Sequence, residues 1–177
     1  MRYLSVNDIL ALYTRIFKEL GGKIGLRDIS FLESAVDKPR ASFGGVDLYE
    51  GVLLKAVVLC EAIIKNHPFV DGNKRVGVLA LLEFLEVNGY DTSKIPDDIL
   101  YDIAVGFASG KLKREEAVKM IEPFLLSESY RAYVNRIVEE TLELLVSEKC
   151  QKSPGWRFES SRARHTQIQV SLYNISP

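Results

Sequence analysis

The sequence predicts an all-α domain built around two largely buried, antiparallel helices. Apolar residues recur at helical spacing through most of the first 125 positions. Two of those segments are apolar around most of a helix circumference, as only central helices are. Between the two lie nine residues, His67-Pro68-Phe69-Val70-Asp71-Gly72-Asn73-Lys74-Arg75, a connection short enough to make the helices neighbours. No convincing sheet and no internal repeat competes with this pattern.

Ser5 is placed to cap a first helix whose positions Ile9, Leu12, Tyr13, Ile16, Phe17 and Leu20 share one face, and Gly21-Gly22 ends it. A short helix starts at Arg27 or Asp28, runs to about Val36 and is stopped by Pro39. Arg40 to Leu48 has no helical period and a Gly pair, so it reads as an exposed flap with a short hairpin. The first buried helix spans about Tyr49 to Asn66 and ends at His67, because Pro68 disfavours the α conformation in the residue before it. The second runs from about Gly72 to Asn88. Asp97 or Asp98 caps a further helix through about Ala108, and another follows from Arg114 to Phe124. Residues 1–125 form the domain and 126–149 an additional helix with a broad apolar stripe. Residues 150–177 form a basic tail, with Lys152, Arg157, Arg162 and Arg164 against Glu159, expected to be poorly ordered.

Composition narrows the function classes. Lys and Arg number 23 against 24 Asp and Glu, a formal net charge of -1, so no direct nucleic-acid binding and no anionic membrane is expected from global charge. The apolar runs are interrupted by Lys55, Glu83 and Glu86, and no segment spans a membrane. Two cysteines without metal-ligand spacing fit a reduced, cytoplasmic protein. Any phosphate chemistry must therefore come from local charge.

The nine-residue connection supplies it. A helix starting near Gly72 presents unpaired N–H groups to an anion, and Gly72 lets a ligand approach the backbone closely. Lys74 and Arg75 add two cations within the first turn, where they oppose the helix dipole unless an anion compensates. Asp71 is a hard oxygen ligand suited to Mg²⁺ shared with phosphates. Histidine titrates near neutral pH, so His67 can take a proton from a hydroxyl. Phe69 anchors the connection in the core. Taken singly, His67 would be an ordinary helix terminus, Asp71 an N-cap, and Lys74 and Arg75 solvated surface. Their coincidence in one turn points to phosphoryl or nucleotidyl transfer.

HPFVDGNKR resembles the signature of the Fic/Doc family. The segment G-L-R-D-I-S-F-L-E-S-A-V, the flap S-F-G-G-V-D-L-Y and the order of helices resemble its death-on-curing (Doc) toxin branch over about residues 3–124. The resemblance implies an all-α Fic/Doc-like bundle binding ATP and Mg²⁺. It makes His67 the base on a target hydroxyl, Asp71 the Mg²⁺ ligand, and Gly72, Asn73, Lys74 and Arg75 the phosphate site. Ser42, Phe43, Gly44 and Gly45 would form the flap that aligns the target by strand addition.

Adenylylating members usually carry Gly where this chain has Lys74, and a second Arg where it has Val78. Both departures match the branch that transfers the γ-phosphate, so protein phosphorylation is expected ahead of adenylylation, with elongation factor Tu as leading target. A catalytically silent antitoxin-binding module is the remaining alternative. The sequence lacks the [S/T]-x-x-x-E-[G/N] inhibitory pattern, which implies an antitoxin acting in trans. The helix over 127–149 completes the core in the simplest reading, and otherwise fills the inhibitory groove or pairs two protomers.

Overall fold

The computed structural model describes residues 1–20, 24–125 and 136–142, with the backbone alone at positions 19 and 20. The chain divides into two units, Met1–Ser127 and Glu128–Pro177. In the second, residues 136–142 are helical, with Ile137, Val138 and Leu142 exposed. The rest of the helix expected over 127–149, the Gly21-Gly22 stop and the tail over 150–177 lie outside the described residues.

The first unit is helical, with a single two-stranded hairpin among its described residues. Helix α1 spans Val6–Leu20. Ser5 and Asp8 cap it reciprocally: Asp8 Oδ2 accepts from the Ser5 N–H at 2.7 Å, and Ser5 Oγ accepts from the Asp8 N–H at 3.3 Å. Helix α2 (Ile29–Asp37) is capped by Asp28, which accepts from the Ser30 N–H. Pro39 does not stop it abruptly but lies in the 3-10 turn Lys38–Arg40 that continues it. Strands β1 (Ser42–Phe43) and β2 (Val46–Asp47) pair antiparallel across Gly44-Gly45. Both glycines have positive φ, 59° and 82°, which a two-residue hairpin turn of matching twist requires.

Helices α3 (Val52–Asn66) and α4 (Asn73–Val87) form the central pair. Ala56, Val57, Val58, Leu59, Cys60, Ala62, Ile63 and Ile64 of α3 are all buried, against Val76, Ala80, Leu81, Phe84 and Leu85 of α4 among others. Gly77 lets the two approach: a Cβ there would meet Ile64 Cγ1 at 2.7 Å and the Cys60 carbonyl at 3.1 Å. Helix α5 (Asp97–Ser109) begins after Pro96 rather than at an Asp cap; Asp97 and Asp98 occupy its first turn instead, where carboxylates suit the dipole. Helix α6 (Arg114–Leu125) closes the bundle against α3. No helix among the described residues is long and apolar enough to cross a membrane.

Two charged groups are buried in this frame. Glu61 is bonded by Lys65 and Arg114, and Arg114 also lies over the Tyr49 ring, tying α3 to α6 and to the chain leaving the hairpin. Burial alone would raise the Glu61 carboxyl, but the hydrogen bonds and charges of Lys65 and Arg114 outweigh it and hold the group below its ordinary value. Lys55, which in sequence interrupts an apolar run, is 1% exposed on α3.

Candidate active site

The connection between α3 and α4 turns on two left-handed residues. His67 closes α3 with φ 51° and ψ 50°, the single positive φ outside glycine among the described residues. Gly72 precedes α4 with φ 82°. A left-handed L-residue costs about 1–2 kcal/mol, so His67 is held there by its surroundings. A Cβ at Gly72 would meet Phe17 at 3.0 Å, so the glycine also allows α1 to close on the loop.

Between these pivots the loop turns Pro68 and Phe69 inward. Pro68 and Phe69 are buried, whereas His67, Val70 and Asp71 are exposed. Phe69 is fully buried and stacks on Tyr13 of α1, with ring centroids 4.0 Å apart and planes 13° from parallel. The Tyr13 hydroxyl accepts from the Gly25 N–H at 2.8 Å and donates to the Gly25 carbonyl at 3.1 Å. Residues 25–27 then run beside the loop: the Val70 N–H donates to Gly25 O at 2.9 Å, the Arg27 N–H donates to Pro68 O at 2.7 Å, and Leu26 bridges Phe69. Apart from Gly25 itself, where a Cβ would lie 2.8 Å from Val70 Cγ2, nothing in the sequence around residues 24–27 announces this pairing with the loop.

Of the expected phosphate-site residues, the structure brings Gly72, Lys74 and Arg75 together at the start of α4, with both cations exposed. The amides of the first turn have no intrahelical acceptor and can take an anion. Asn73 is engaged differently from the sequence expectation. Its side chain is 5% exposed, accepts from the Phe69 N–H at 3.0 Å and donates to Phe69 O at 2.9 Å. It clamps the loop from inside.

Asp71 accepts from the Gly72 N–H at 2.6 Å through Oδ1, and Oδ2 lies 3.5 Å from Arg75. Both partners of that ion pair are about half exposed, at 42% and 50%, so the pair is worth roughly 0–1 kcal/mol and exchanges readily for a ligand. Arg75 also lies 5.5 Å from the centre of the Phe17 ring. A metal held by protein alone does not fit, since the described residues contain no group of three or more His, Cys, Asp or Glu. A single accessible carboxylate does fit Mg²⁺, which takes most of its oxygens from phosphate and water.

Beside the cations opens a groove of about 440 Å³ between α1, α4 and α5. Lys74 and Arg75 stand in its wall with Val78, Leu82, Leu100 and Ala104. It was not foreseen from sequence, because its lining is drawn from three separate helices, one of them distant in the chain. On the hairpin, Phe43 is 82% exposed, and Ser42, Gly44 and Gly45 are exposed with it.

The Fic/DOC family model matches residues 3–85. Toxin Doc of Mycolicibacterium smegmatis is 39% identical over 87 residues, which cover 49% of this chain and 65% of that protein. Protein kinase doc of Escherichia phage P1 is 29% identical over 112 residues, 63% of this chain and 86% of that protein. The match thus spans just under two thirds of the mycobacterial toxin's length.

Proposed function

We propose that the chain, whose residues 3–85 match the Fic/DOC family model, is a Doc-like toxin that moves the γ-phosphate of ATP to a side-chain hydroxyl of a target protein. One observation carries the reading: an exposed histidine and an exposed carboxylate stand on a loop fixed from below, directly ahead of a helix start flanked by Lys74 and Arg75. His67 accepts the proton of the target hydroxyl as the new O–P bond forms, and the bond from the γ-phosphorus to its bridging oxygen breaks, releasing ADP. The first-turn amides of α4, with the Gly72 N–H exchanging from the Asp71 carboxylate to the ligand, hold the phosphates together with Lys74 and Arg75. Asp71 would hold Mg²⁺, which supplies charge neutralisation when bound.

The preference for phosphorylation over adenylylation rests on Lys74 and Val78. Lys74 brings a cation to the phosphates, and Val78 forms part of the apolar groove wall where a second guanidinium would otherwise stand. The relative named a protein kinase agrees with that preference. The edges of the hairpin at Ser42–Gly45 suit alignment of an extended target segment by main-chain bonds. Elongation factor Tu is the leading target, met in the cytoplasm, where modification would arrest translation. The groove suits an apolar helical segment of an antitoxin, whose acidic end would meet Lys74 and Arg75.

Incubation with a cell extract and either γ- or α-labelled ATP tests the chemistry. Label on a protein from the γ position, absent with His67→Ala, is expected. Label from the α position alone would establish adenylyl transfer in its place, and growth arrest undiminished by His67→Ala would establish a non-catalytic mode.

A further inference from the structure

Lys55 is the structural oddity the proposed chemistry does not use. It is a lysine 1% exposed, among the largest fully buried side chains of the protein. Burying an ammonium costs several kcal/mol unless partners compensate, and an apolar side chain of similar volume commonly serves a core at least as well. Its partners are specific. Nζ donates to Asp47 Oδ2 at 2.5 Å and to the Tyr3 hydroxyl at 2.7 Å, and lies 5.2 Å from the centre of the Tyr3 ring. Tyr3 is itself fixed, edge-on against Phe84 of α4 and 4.8 Å from the Arg40 guanidinium.

Asp47 is the last residue of β2, and its side chain is 55% exposed. The hairpin it belongs to has strands of two residues each, all exposed, closed at the base by the Leu48 N–H to Ala41 O bond. Two strands of that length have no stable orientation of their own in water. The Asp47 carboxylate is thus the polar link from the hairpin to the buried frame, and it ends on the first turn of α3. The same helix ends at His67, twelve residues on, about 18 Å along a rigid rod.

We infer that Lys55 is a positioning residue: through Asp47 it fixes the direction of the exposed hairpin relative to the α3 helix that carries His67, so that a protein target docks in register. The inference deepens the proposed reading, since it assumes that the hairpin receives the target. Its mechanical half stands without that assumption.

The experiment uses the full chain with Lys55→Met, which keeps an unbranched side chain of similar length, and with Asp47→Asn and Lys55→Arg. Amide hydrogen exchange is followed over residues 41–48 and over α3 and α4, without nucleotide. Losing a charge-assisted bond of this kind should speed hairpin exchange at least about tenfold in Lys55→Met and in Asp47→Asn, with the helices unchanged and Lys55→Arg partly restored. In the transfer assay, KM for the protein target should rise while the affinity for ATP stays within about twofold, as expected of a residue acting through docking. Hairpin exchange unchanged in Lys55→Met, or accelerated only in step with α3 and α4, overturns the inference and leaves the proposed chemistry intact. Absence of any phosphoryl transfer by the wild type defeats the functional reading, while the exchange result still decides the mechanical one.

Discussion

Replacing Asn73 by alanine separates two roles that a polar residue in this loop can have. Its side-chain amide is bonded at both ends to Phe69, the N–H at 3.0 Å and the carbonyl at 2.9 Å, in a region closed to water. Asn73→Ala leaves both Phe69 groups unpaired, and each buried orphan costs about 1–3 kcal/mol. Allowing for partial relaxation, the variant should lose roughly 3 kcal/mol, a large share of the roughly 5–15 kcal/mol that holds a domain folded. For a unit of this size that corresponds to a fall of roughly 10–15 °C in Tm. Circular dichroism or calorimetry without nucleotide checks it, so the result does not depend on what the protein does. A Tm within about 2 °C of wild type would refute the clamp and return the Asn73 side chain to the ligand. Asn73→Asp sharpens the test. It keeps an acceptor for the Phe69 N–H but sets a carboxylate oxygen against the Phe69 carbonyl, which raises the aspartate's pKa in the folded state. A raised folded pKa makes stability fall as pH rises, so this variant should recover toward wild type on acidification, while Asn73→Ala should not.

Other perturbations have equally direct readouts. His67 occupies a left-handed conformation, so His67→Gly should abolish transfer while leaving the protein at least as stable as His67→Ala, by about 1 kcal/mol in denaturant unfolding. The Glu61 carboxyl is held below its ordinary value, so its contribution is present above about pH 4.5 and is lost as pH falls through the folded value. Glu61→Gln should therefore flatten the acid limb of the stability profile. Its cost at neutral pH should be only about 1 kcal/mol, because Lys65 and Arg114 both reach solvent and can be rehydrated. If the groove seats the proposed antitoxin, Ala104→Arg should fill the channel beside Leu100 and Val78, so that a co-expressed antitoxin no longer rescues growth while the proposed toxicity persists. Rescue equal to wild type would remove the groove as the antitoxin's seat.

The helices and the site's polar residues were legible in the sequence because both are local. The 3.6-residue apolar period and the caps located every α-helix among the described residues of the first unit within a few residues, though not the 3-10 turn Lys38–Arg40, and Pro68 marked the end of α3. Phe69 stood out as the anchor because it is the one large aromatic residue of the nine-residue connection. What stayed hidden depends on partners distant in the chain. Tyr13 is 56 positions from Phe69, and nothing in its neighbourhood distinguishes a stacking partner from core. Asn73 is read as a ligand residue by its neighbours Gly72 and Lys74, whereas its side chain turns inward to a residue four positions earlier. Lys55 looked like a charge that spoils an apolar helix, because the carboxylate that compensates it belongs to a different element.

These hidden contacts explain how an irregular loop becomes rigid enough for chemistry. Ordering its six or so residues costs roughly 1–2 kcal/mol apiece in backbone entropy. Burial of Phe69 contributes about 2–3 kcal/mol, and its stack on Tyr13 about 1 more. The bonds from Asn73, from Val70 to Gly25 and from Arg27 to Pro68 add about 1 kcal/mol each, which brings the two sides into rough balance. The side chains among them, Phe69, Tyr13 and Asn73, are buried. His67, Asp71 and the side chains of Lys74 and Arg75 face outward and take little part in holding the loop, the Asp71 bond to the Gly72 N–H and the weak Asp71–Arg75 pair excepted. In the proposed reaction the division has a consequence: groups that do not hold the loop would be free to change partners when a phosphate or a hydroxyl arrived, with the geometry beneath them kept. Preorganised charge of that kind is the larger part of what a phosphoryl-transfer site can contribute, since the reaction itself asks for positioning and electrostatics rather than covalent help.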